Sequence, residues 1–285
     1  MKKILIVLAL GLSTASFGQT NGWYTAKSIG EKTWVINEKG VVDDNMYVLE
    51  GSDSTLLIDC GFGFGNLRDF VKTISSKPLI VVNTHFHPDH TGGNYQFPKV
   101  YISRSDLDLA TPFLNPDVRK QLAGMALNGI QIPDSVKYPD TSLANTVLQP
   151  VYDKQIFKLG GRDITIIAVP GHSPGSIFLL DNKNKFLFTG DNTQTTWLFF
   201  KESLPIATYL KSLEHLDAFN GQFNILFAGH GPATGIGLLS DLKGCCQKIL
   251  SGNSEAKPYH SFIGQDGVSC TYNTVTIAYD PNKIK

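Results

Sequence analysis

The sequence predicts a layered fold of α-helices and β-strands. Short apolar runs bounded by Gly, Pro, Asn or Asp are typical of strands, and apolar residues spaced three and four apart are typical of amphipathic helices. The two patterns alternate along the chain, which excludes a helical bundle and a pure β-sandwich. The length of 285 residues suits one large globular domain with appendages.

The elements follow in a regular order. Strands are predicted at 47–50, 55–59, 78–83, 100–102, 164–169, 177–180, 186–189, 225–228 and 275–278, and the first two form a hairpin. Amphipathic helices are predicted at 67–74, 206–216 and 238–249. Segment 103–150 is more polar and is expected to be mainly helical, with a helix starting at 115–117. We interpret this segment as a helical cap or insertion.

The first eighteen residues have the pattern of a secretory signal peptide cut before Gln19. A basic start is followed by the apolar run 4–12, which is too short to span a bilayer, and then by the small residues Ser16 and Gly18. The alternative is a buried N-terminal strand. We therefore expect residues 19–285 to form a single domain, secreted or periplasmic, with no stable membrane anchor.

The charge balance excludes a broad electrostatic surface. The chain has 25 Lys and Arg against 25 Asp and Glu, so no nucleic-acid partner is expected. Four cysteines are present, Cys60, Cys245, Cys246 and Cys270. They are interpreted as small buried apolar residues, and the alternative is a disulfide from Cys270 to Cys245 or Cys246, which an exported protein allows.

The strongest local signal is a cluster of metal-ligand types directly after the predicted strand 78–83. Within six residues the chain carries His85, His87, Asp89 and His90, although it has only seven histidines in all. Clustered histidines without a metal have no obvious structural use. In a tight loop the first two can point one way and the last two another, so one segment can serve two adjacent metal positions.

Three further candidates stand in similar places. His172, Asp191 and His230 each follow a predicted strand in a Gly-containing loop. Each alone is more typical of a turn than of a ligand. Together with the cluster they supply five His and two Asp at strand-to-loop junctions, which is enough for two metals that share one carboxylate.

The spacing His-x-His-x-Asp-His, followed by three ligand loops in this order, resembles the metallo-β-lactamase superfamily over about residues 30–250. The resemblance implies a four-layer αββα sandwich with the metals at one edge of two sheets. It also implies that Asp59 orients the histidine loop; the alternative is a turn Asp. By resemblance, the first metal is held by His85, His87 and His172, the second by Asp89, His90 and His230, and Asp191 bridges both.

The expected chemistry is hydrolysis of a small-molecule substrate. Two Zn²⁺ ions are expected, with iron or manganese as alternatives, and they would share a hydroxide that Asp89 helps to orient. The sequence has no Gly-x-Ser-x-Gly element that would indicate a serine nucleophile. Asp191 as bridging residue and Gln194 three residues later differ from the cysteine-type zinc β-lactamases. An ester, lactone, thioester or β-lactam amide is the expected bond.

Several alternatives stay open from the sequence. The resemblance also includes iron-dependent persulfide dioxygenases, and a non-catalytic metal-binding protein would keep the same fold. Residues 197–200 either line an apolar wall beside the metals or form a core strand. In segment 103–150, the apolar residues face either substrate or core: Phe113, Leu114, Met125 and Leu127. The oligomeric state is not predicted.

Overall fold

The computed structural model describes residues 19–20, 22–38, 44–115, 117–118, 121 and 145–285. Its strands are β1 Gln19–Thr20, β2 Tyr24–Gly30, β3 Thr33–Glu38, β4 Asn45–Glu50, β5 Thr55–Ile58, β6 Leu79–Val82, β7 Lys99–Ser103, β8 Val147–Val151, β9 Ile156–Lys158, β10 Asp163–Ala168, β11 Ile177–Asp181, β12 Phe186–Gly190, β13 Thr195–Leu198, β14 Ile225–Ala228, β15 Thr234–Gly235, β16 Lys257–His260, β17 Asp266–Tyr272 and β18 Val275–Tyr279. Its α-helices are α1 Leu67–Ile74, α2 Pro88–Thr91, α3 Arg104–Ala110, α4 Ile206–His215 and α5 Gly237–Leu250.

The strands form three sheets. The first contains β1 to β8 in sequence order, the second has the order β15-β14-β12-β11-β10-β9, and the third has the order β13-β18-β17-β16. In the first sheet β5 to β8 are parallel, and in the second β12 is parallel to β14. Because β11 is antiparallel to both β10 and β12, strands β10, β12 and β14 run in the same direction. Their carboxyl ends therefore meet at one edge of the sheet.

The layers follow from side-chain alternation along the strands. In β5, Leu57 packs with α1, whereas its neighbour Leu56 packs against the second sheet. In β11, Leu179 faces the first sheet, whereas Leu180 faces α4 and α5. Because successive strand side chains point to opposite faces, the first and second sheets each bury side chains on both faces. The order of layers is α1, first sheet, second sheet, then α4 with α5, which confirms the predicted four-layer αββα sandwich.

The third sheet completes the core at the carboxyl end of the chain. Its strand β18 packs on α5, with Cys270 of β17 in the same apolar cluster as Cys245 and Cys246. All four cysteines are buried and free, and Cys245 Sγ donates to the Cys270 carbonyl oxygen at 3.3 Å. The cysteines are therefore small core residues in this structure, as the first interpretation expected, and no disulfide joins them.

All the predicted strands and amphipathic helices are present, with boundaries that agree within two residues. The expectation that segment 103–150 is mainly helical is wrong at its end, where β8 pairs with β7 and joins the first sheet. Its beginning is helical, as α3 and a 3₁₀ turn at Thr111–Leu114. The predicted helix start is described only at 115 and 117, and Met125, Leu127 and the signal peptide 1–18 lie outside the described residues. None of the described helices is long and apolar enough to cross a membrane.

Candidate metal centre

The histidine cluster lies in the loop that follows β6. His85 and His87 come first, and the short helix α2 then begins at Pro88 and carries Asp89 and His90. Proline suits this place because the first helical residues have no intrahelical partner for an N–H group. The Thr91 hydroxyl donates to the carbonyl oxygens of Phe86 and His87, which closes the loop on itself. One segment thus presents four ligand-type side chains in a fixed arrangement.

The other three candidates follow the carboxyl ends of β10, β12 and β14, which share one edge of the second sheet. His172 lies in the loop after β10, Asp191 directly follows β12, and His230 follows β14. The approach of these loops depends on Gly229, where an added Cβ would lie 2.7 Å from the His90 ring and 2.8 Å from Asp191 Oδ1. A larger residue at 229 would therefore displace the loops.

The structure brings all seven predicted ligand residues together. They form two groups in which the potential ligand atoms lie within 4.8 Å of one another, namely His85, His87, His172 and Asp191, and Asp89, His90, Asp191 and His230. These are the two sets that the resemblance implied, and each group could hold a metal ion.

Asp191 belongs to both groups and faces each with a different oxygen. Its Oδ2 lies 3.2 Å from His172 Nε2 and 3.8 Å from His85 Nε2. Its Oδ1 lies 3.1 Å from His90 Nε2 and 3.4 Å from His230 Nε2. A carboxylate in this position can donate one oxygen to each of two cations.

The hydrogen bonds of three histidines fix their tautomers. The Nδ1 atom of His172 lies 2.7 Å from the Trp197 carbonyl oxygen, and that of His90 lies 2.9 Å from Asp59 Oδ2. His85 Nδ1 lies 3.1 Å from the Thr84 hydroxyl oxygen, which itself donates to Asp59 Oδ2. In all three rings Nδ1 is therefore the donor in the neutral form, and the Nε2 lone pair points into the cluster. Metal-binding histidines are held in this way.

Such lone pairs need a cation between them. His85 Nε2 and His172 Nε2 approach His87 Nδ1 to 3.1 and 2.9 Å. His90 Nε2 and Asp191 Oδ1 are buried without a hydrogen bond of acceptable geometry in the described part of the chain. Buried polar atoms in this state are costly unless a ligand satisfies them. The donor set, imidazole nitrogen and carboxylate oxygen, fits a divalent metal such as zinc, iron or manganese.

The electrostatics differ between the two groups. Burial lowers the pKa of His87 to about 3, and the neighbouring His172 adds to this effect. Burial also lowers the pKa of His90, but the charges of Asp191, Asp89 and Asp59 outweigh it and raise that pKa well above its usual value. The second group therefore attracts positive charge most strongly.

Asp59 holds the histidine loop in place. Its carboxylate accepts hydrogen bonds from the Thr84 amide at 2.7 Å and the Thr84 hydroxyl at 2.8 Å, besides its contact with His90. It has a positive φ of 61°, a conformation that Asp tolerates better than most residues. Both interpretations of Asp59 are therefore correct, because this residue makes a turn and orients the loop.

Sequence reasoning missed two carboxylates that join the ligand loops. Asp106 of α3 is fully buried and accepts from the Phe86 amide, the Gly175 amide and the Ser173 hydroxyl. It ties the histidine cluster to the His172 loop. Burial raises the pKa of Asp106 to about 6. Nothing in the local sequence marks it, because its partners are up to 69 residues away.

Asp44 is the second missed carboxylate. Its Oδ1 lies 3.3 Å from His230 Nδ1, the ring nitrogen that faces away from the cluster. The adjacent Asn45 fixes the same loop, since its side-chain amide donates to the carbonyl oxygens of Ala228 and Gly231. The short polar residues 43–45, which lead into β4, were a signal, but the predicted strand began only at residue 47.

The apolar residues after Asp191 divide between core and site. Leu198 and Phe199 are buried, whereas Trp197 and Phe200 are only half-buried. The Phe200 ring lies 4.7 Å from the His87 ring and 5.5 Å from the His172 ring. Both interpretations of 197–200 are therefore correct in part, because Leu198 packs in the core whereas Phe200 lies beside the histidines. The Phe113 ring stacks on the Phe86 ring at 6.4 Å.

The comparisons with known proteins agree with this geometry. The family model of the metallo-beta-lactamase superfamily matches residues 40–196. Acyl-coenzyme A thioesterase MBLAC2 from Homo sapiens is 27% identical over 216 residues, which cover 68% of this chain and 75% of that protein. A probable metallo-hydrolase from Streptococcus pyogenes is 27% identical over 236 residues, 75% of this chain and 88% of that protein.

Solved structures share the fold. A metallo-beta-lactamase from Pontibacter korlensis has a TM-score of 0.56 at 19% identity, covering 77% of this chain and 96% of that one. The family match extends over more than half of the chain and includes six of the seven clustered ligand residues. The chain belongs to the metallo-beta-lactamase superfamily and is a metal-dependent hydrolase of that type.

Proposed function

We propose that this protein is an exported hydrolase with two divalent metal ions, most favourably Zn²⁺. His85, His87 and His172 would hold one ion, Asp89, His90 and His230 the other, and Asp191 both. The observation that carries the proposal is the orientation of Asp191, whose two oxygens face different groups. One ion would leave one of the groups of lone pairs uncompensated.

Zinc is favoured by the chemistry of the ligands. Neutral imidazoles and carboxylates, with no cysteine among them, suit a borderline cation, and iron and manganese are the alternatives. When bound, the ions supply Lewis acidity and a water nucleophile at neutral pH.

Asp89 is positioned to accept a hydrogen bond from that water and so to orient it. Its Oδ2 lies 3.2 Å from His230 Nε2, and its side chain is partly exposed at the edge of the centre. Burial raises the pKa of Asp89, but His90 and His230 outweigh this effect and lower it to about 2. Asp89 is thus a carboxylate at neutral pH, able to accept a hydrogen bond from the attacking water and to hold it in line.

A carboxylic thioester or ester is the substrate that we favour. The human relative is named as an acyl-coenzyme A thioesterase. The half-buried Phe200 beside His87 and His172 offers an apolar contact for an acyl group next to the reacting carbon. Both points support an acyl substrate over a charged phosphodiester.

The test is a hydrolysis panel on residues 19–285, loaded with zinc, iron or manganese in turn and repeated after chelation. The panel contains an acyl thioester, an aryl ester, an acyl lactone, a cephalosporin and a phosphodiester. We expect zinc-dependent cleavage of the thioester and the ester, and we expect Asp191→Ala to abolish it. The control variant Asp217→Ala should keep this activity, because the Asp217 carboxylate is exposed and pairs with Lys243 at the surface. Cleavage of the phosphodiester alone would contradict the substrate assignment. Oxygen uptake with one iron would contradict the hydrolytic assignment.

Export needs a separate test. The full chain is expressed in a Gram-negative host, and the N-terminus of the protein released by osmotic shock is sequenced. We expect it to begin at Gln19. Retention of the full chain in the cytosol with Met1 intact would contradict export without affecting the hydrolase proposal.

A further inference from the structure

An aromatic row leads from the metal centre to the surface. We define it as Phe200, Trp197 and Phe262. Phe200 contacts the His87 ring at 4.7 Å, Trp197 contacts Phe200 at 6.0 Å, and Phe262 contacts Trp197 at 5.4 Å. Phe262 lies in the turn between β16 and β17 and is 71% exposed, which is unusual for so large an apolar side chain. The row therefore begins at a ligand and ends in solvent.

The centre of the row is rigid. The Trp197 carbonyl oxygen accepts from His172 Nδ1 at 2.7 Å, and its indole Nε1 donates to the Tyr259 hydroxyl at 2.9 Å. The buried Phe199 packs against the row, with ring contacts of 5.2 Å to Trp197 and 4.9 Å to Phe200. One residue thus connects a ligand loop to the C-terminal hairpin. A preformed wall of this kind binds a flexible ligand without an ordering cost of its own.

The turn that carries Phe262 is also ordered by its own hydrogen bonds. The Ser261 amide donates to the Gln265 carbonyl oxygen at 3.0 Å, and the Gly264 amide donates to the Ser261 carbonyl oxygen at 3.1 Å. The polar side chains beside it contact each other, since His260 Nδ1 lies 2.8 Å from Asp266 Oδ1. The hairpin therefore holds the exposed Phe262 ring in place at the end of the row.

We propose that the aromatic row binds the apolar acyl chain of the substrate and sets a preference for long acyl chains. This inference rests on the proposed function, because it places the scissile carbonyl at the metal centre and extends the acyl chain past Phe200 and Trp197 to Phe262. The continuity of the row with the rings of His87 and His172 is the reason for this choice of occupant. Phe262 contacts the far end of a long acyl chain and is therefore a specificity-determining residue.

The experiment compares thioesters of one small thiol with acetyl, butyryl, octanoyl and dodecanoyl groups, each below its micelle concentration. For the zinc-loaded protein we expect kcat/KM to rise about twofold per added methylene, below the roughly fourfold that complete burial gives. In Phe262→Ser the ratio of dodecanoyl to acetyl kcat/KM should fall about tenfold. Phe262→Leu, which keeps an apolar side chain, should restore most of it.

The matched control is Tyr272→Ser, a partly exposed aromatic residue at the opposite end of β17. It should leave the chain-length ratio unchanged. A wild-type protein without chain-length preference, or a preference that survives Phe262→Ser, would overturn the proposal.

A binding measurement separates this inference from the proposed function. Dodecanoate is titrated into the metal-free protein by calorimetry. We expect binding that weakens about tenfold in Phe262→Ser and does not change in Tyr272→Ser. If no thioester or ester is hydrolysed but this pattern appears, the proposed function fails and the aromatic row stands. Absence of dodecanoate binding, together with Phe262-dependent sedimentation on phosphatidylcholine vesicles, would overturn the row as a substrate site in favour of a membrane contact.

Discussion

Two buried polar networks lie at opposite ends of the β11–β12 hairpin, and they differ in how completely their charges are paired. At one end Asp181 and Arg162 form an ion pair at 2.6 Å, with both side chains almost fully buried. Arg162 also donates to the Lys32 carbonyl oxygen and the Thr33 hydroxyl. At the other end is Asp191, whose Oδ1 has no hydrogen bond in the described part of the chain although it lies near two histidines.

The difference in charge pairing indicates a structural role for the first network and a ligand-binding role for the second. A buried ion pair that carries its own counter-charge needs nothing from solution, and it links the two sheets. A cluster with converging imidazole nitrogens and an unbonded carboxylate oxygen would be completed by the cations that we propose it holds. A third buried carboxyl, Glu38, shows another solution, since it accepts from the neutral Tyr24 hydroxyl and Phe62 amide. Burial raises the pKa of Glu38 to about 7, so this carboxyl keeps its proton at pH values below 7.

The largest effect is expected from removing Asp191, the residue that we propose both ions share. Asp191→Ala should reduce kcat/KM by roughly a thousandfold, because both ion positions lose a ligand and several kcal/mol of transition-state stabilisation are lost with them. Added zinc should raise the melting temperature of the wild type, since ligand at a thousand times its Kd stabilises a fold by about 4 kcal/mol. The variant should show little of this rise in a thermal scan with and without zinc. An equal rise in both proteins would contradict the role of Asp191.

Removing Asp181 from the ion pair with Arg162 should instead lower the stability of the fold and leave zinc binding unchanged. Asp181→Ala leaves the Arg162 guanidinium buried without its counter-charge, and we expect the free energy of unfolding to fall by about 3–5 kcal/mol. Urea denaturation of the metal-free protein measures it. Zinc affinity of the folded variant should be unchanged. A loss of zinc affinity with little loss of stability would mean that the two ends are not independent.

The third buried carboxyl predicts a pH dependence. Burial raises the pKa of Glu38 from 4.5 to about 7, so between these values the folded protein holds a proton that the unfolded chain has lost. The stabilisation is fully present below pH 4.5 and is lost as the pH rises through 7, by roughly 3 kcal/mol. The difference in unfolding free energy between wild type and Glu38→Gln, measured in metal-free protein, should change over this range. A constant difference would mean that Glu38 does not titrate there.

The smallest effect is expected from changing Asp59, which contacts the candidate ligand His90 but is not itself a candidate ligand. Asp59→Asn keeps a residue that tolerates the positive φ but loses the charged acceptor of the His90 and Thr84 donors. Zinc affinity, measured by competition with a chelator, should fall about 10- to 100-fold, as for other supports of metal-binding histidines. Asp53→Asn, an exposed residue in the turn before β5, is the control and should keep wild-type affinity. Unchanged affinity in Asp59→Asn would reduce Asp59 to a turn residue.

The clustering of the seven candidate ligand residues could be predicted because each member comes soon after a strand, so the strands themselves bring the loops to one edge. Asp106 could not be predicted, since its partners come from other segments and nothing in its neighbourhood marks it. Asp44 lies in a short polar run, but its partner His230 comes from a distant segment. The same holds for the Trp197 carbonyl oxygen, a main-chain acceptor that no side-chain pattern reveals.

The predicted strands were those with buried apolar runs, such as β11 and β12, where every residue is buried. The missed ones are half-exposed, as in β16, whose residues Lys257–His260 include no buried side chain. Such strands form because their main chains pair with a neighbour, here β17, and the local sequence carries little sign of it.

The central claim is that Asp191 serves two cations, and the metal content of the protein tests it most directly. Wild-type protein and the Asp191→Ala variant, both as residues 19–285, are saturated with zinc and passed through a desalting column. Their zinc content is then measured by elemental mass spectrometry. The account predicts two zinc ions per wild-type chain and a marked loss in the variant. A single ion per wild-type chain, retained in Asp191→Ala, would contradict it.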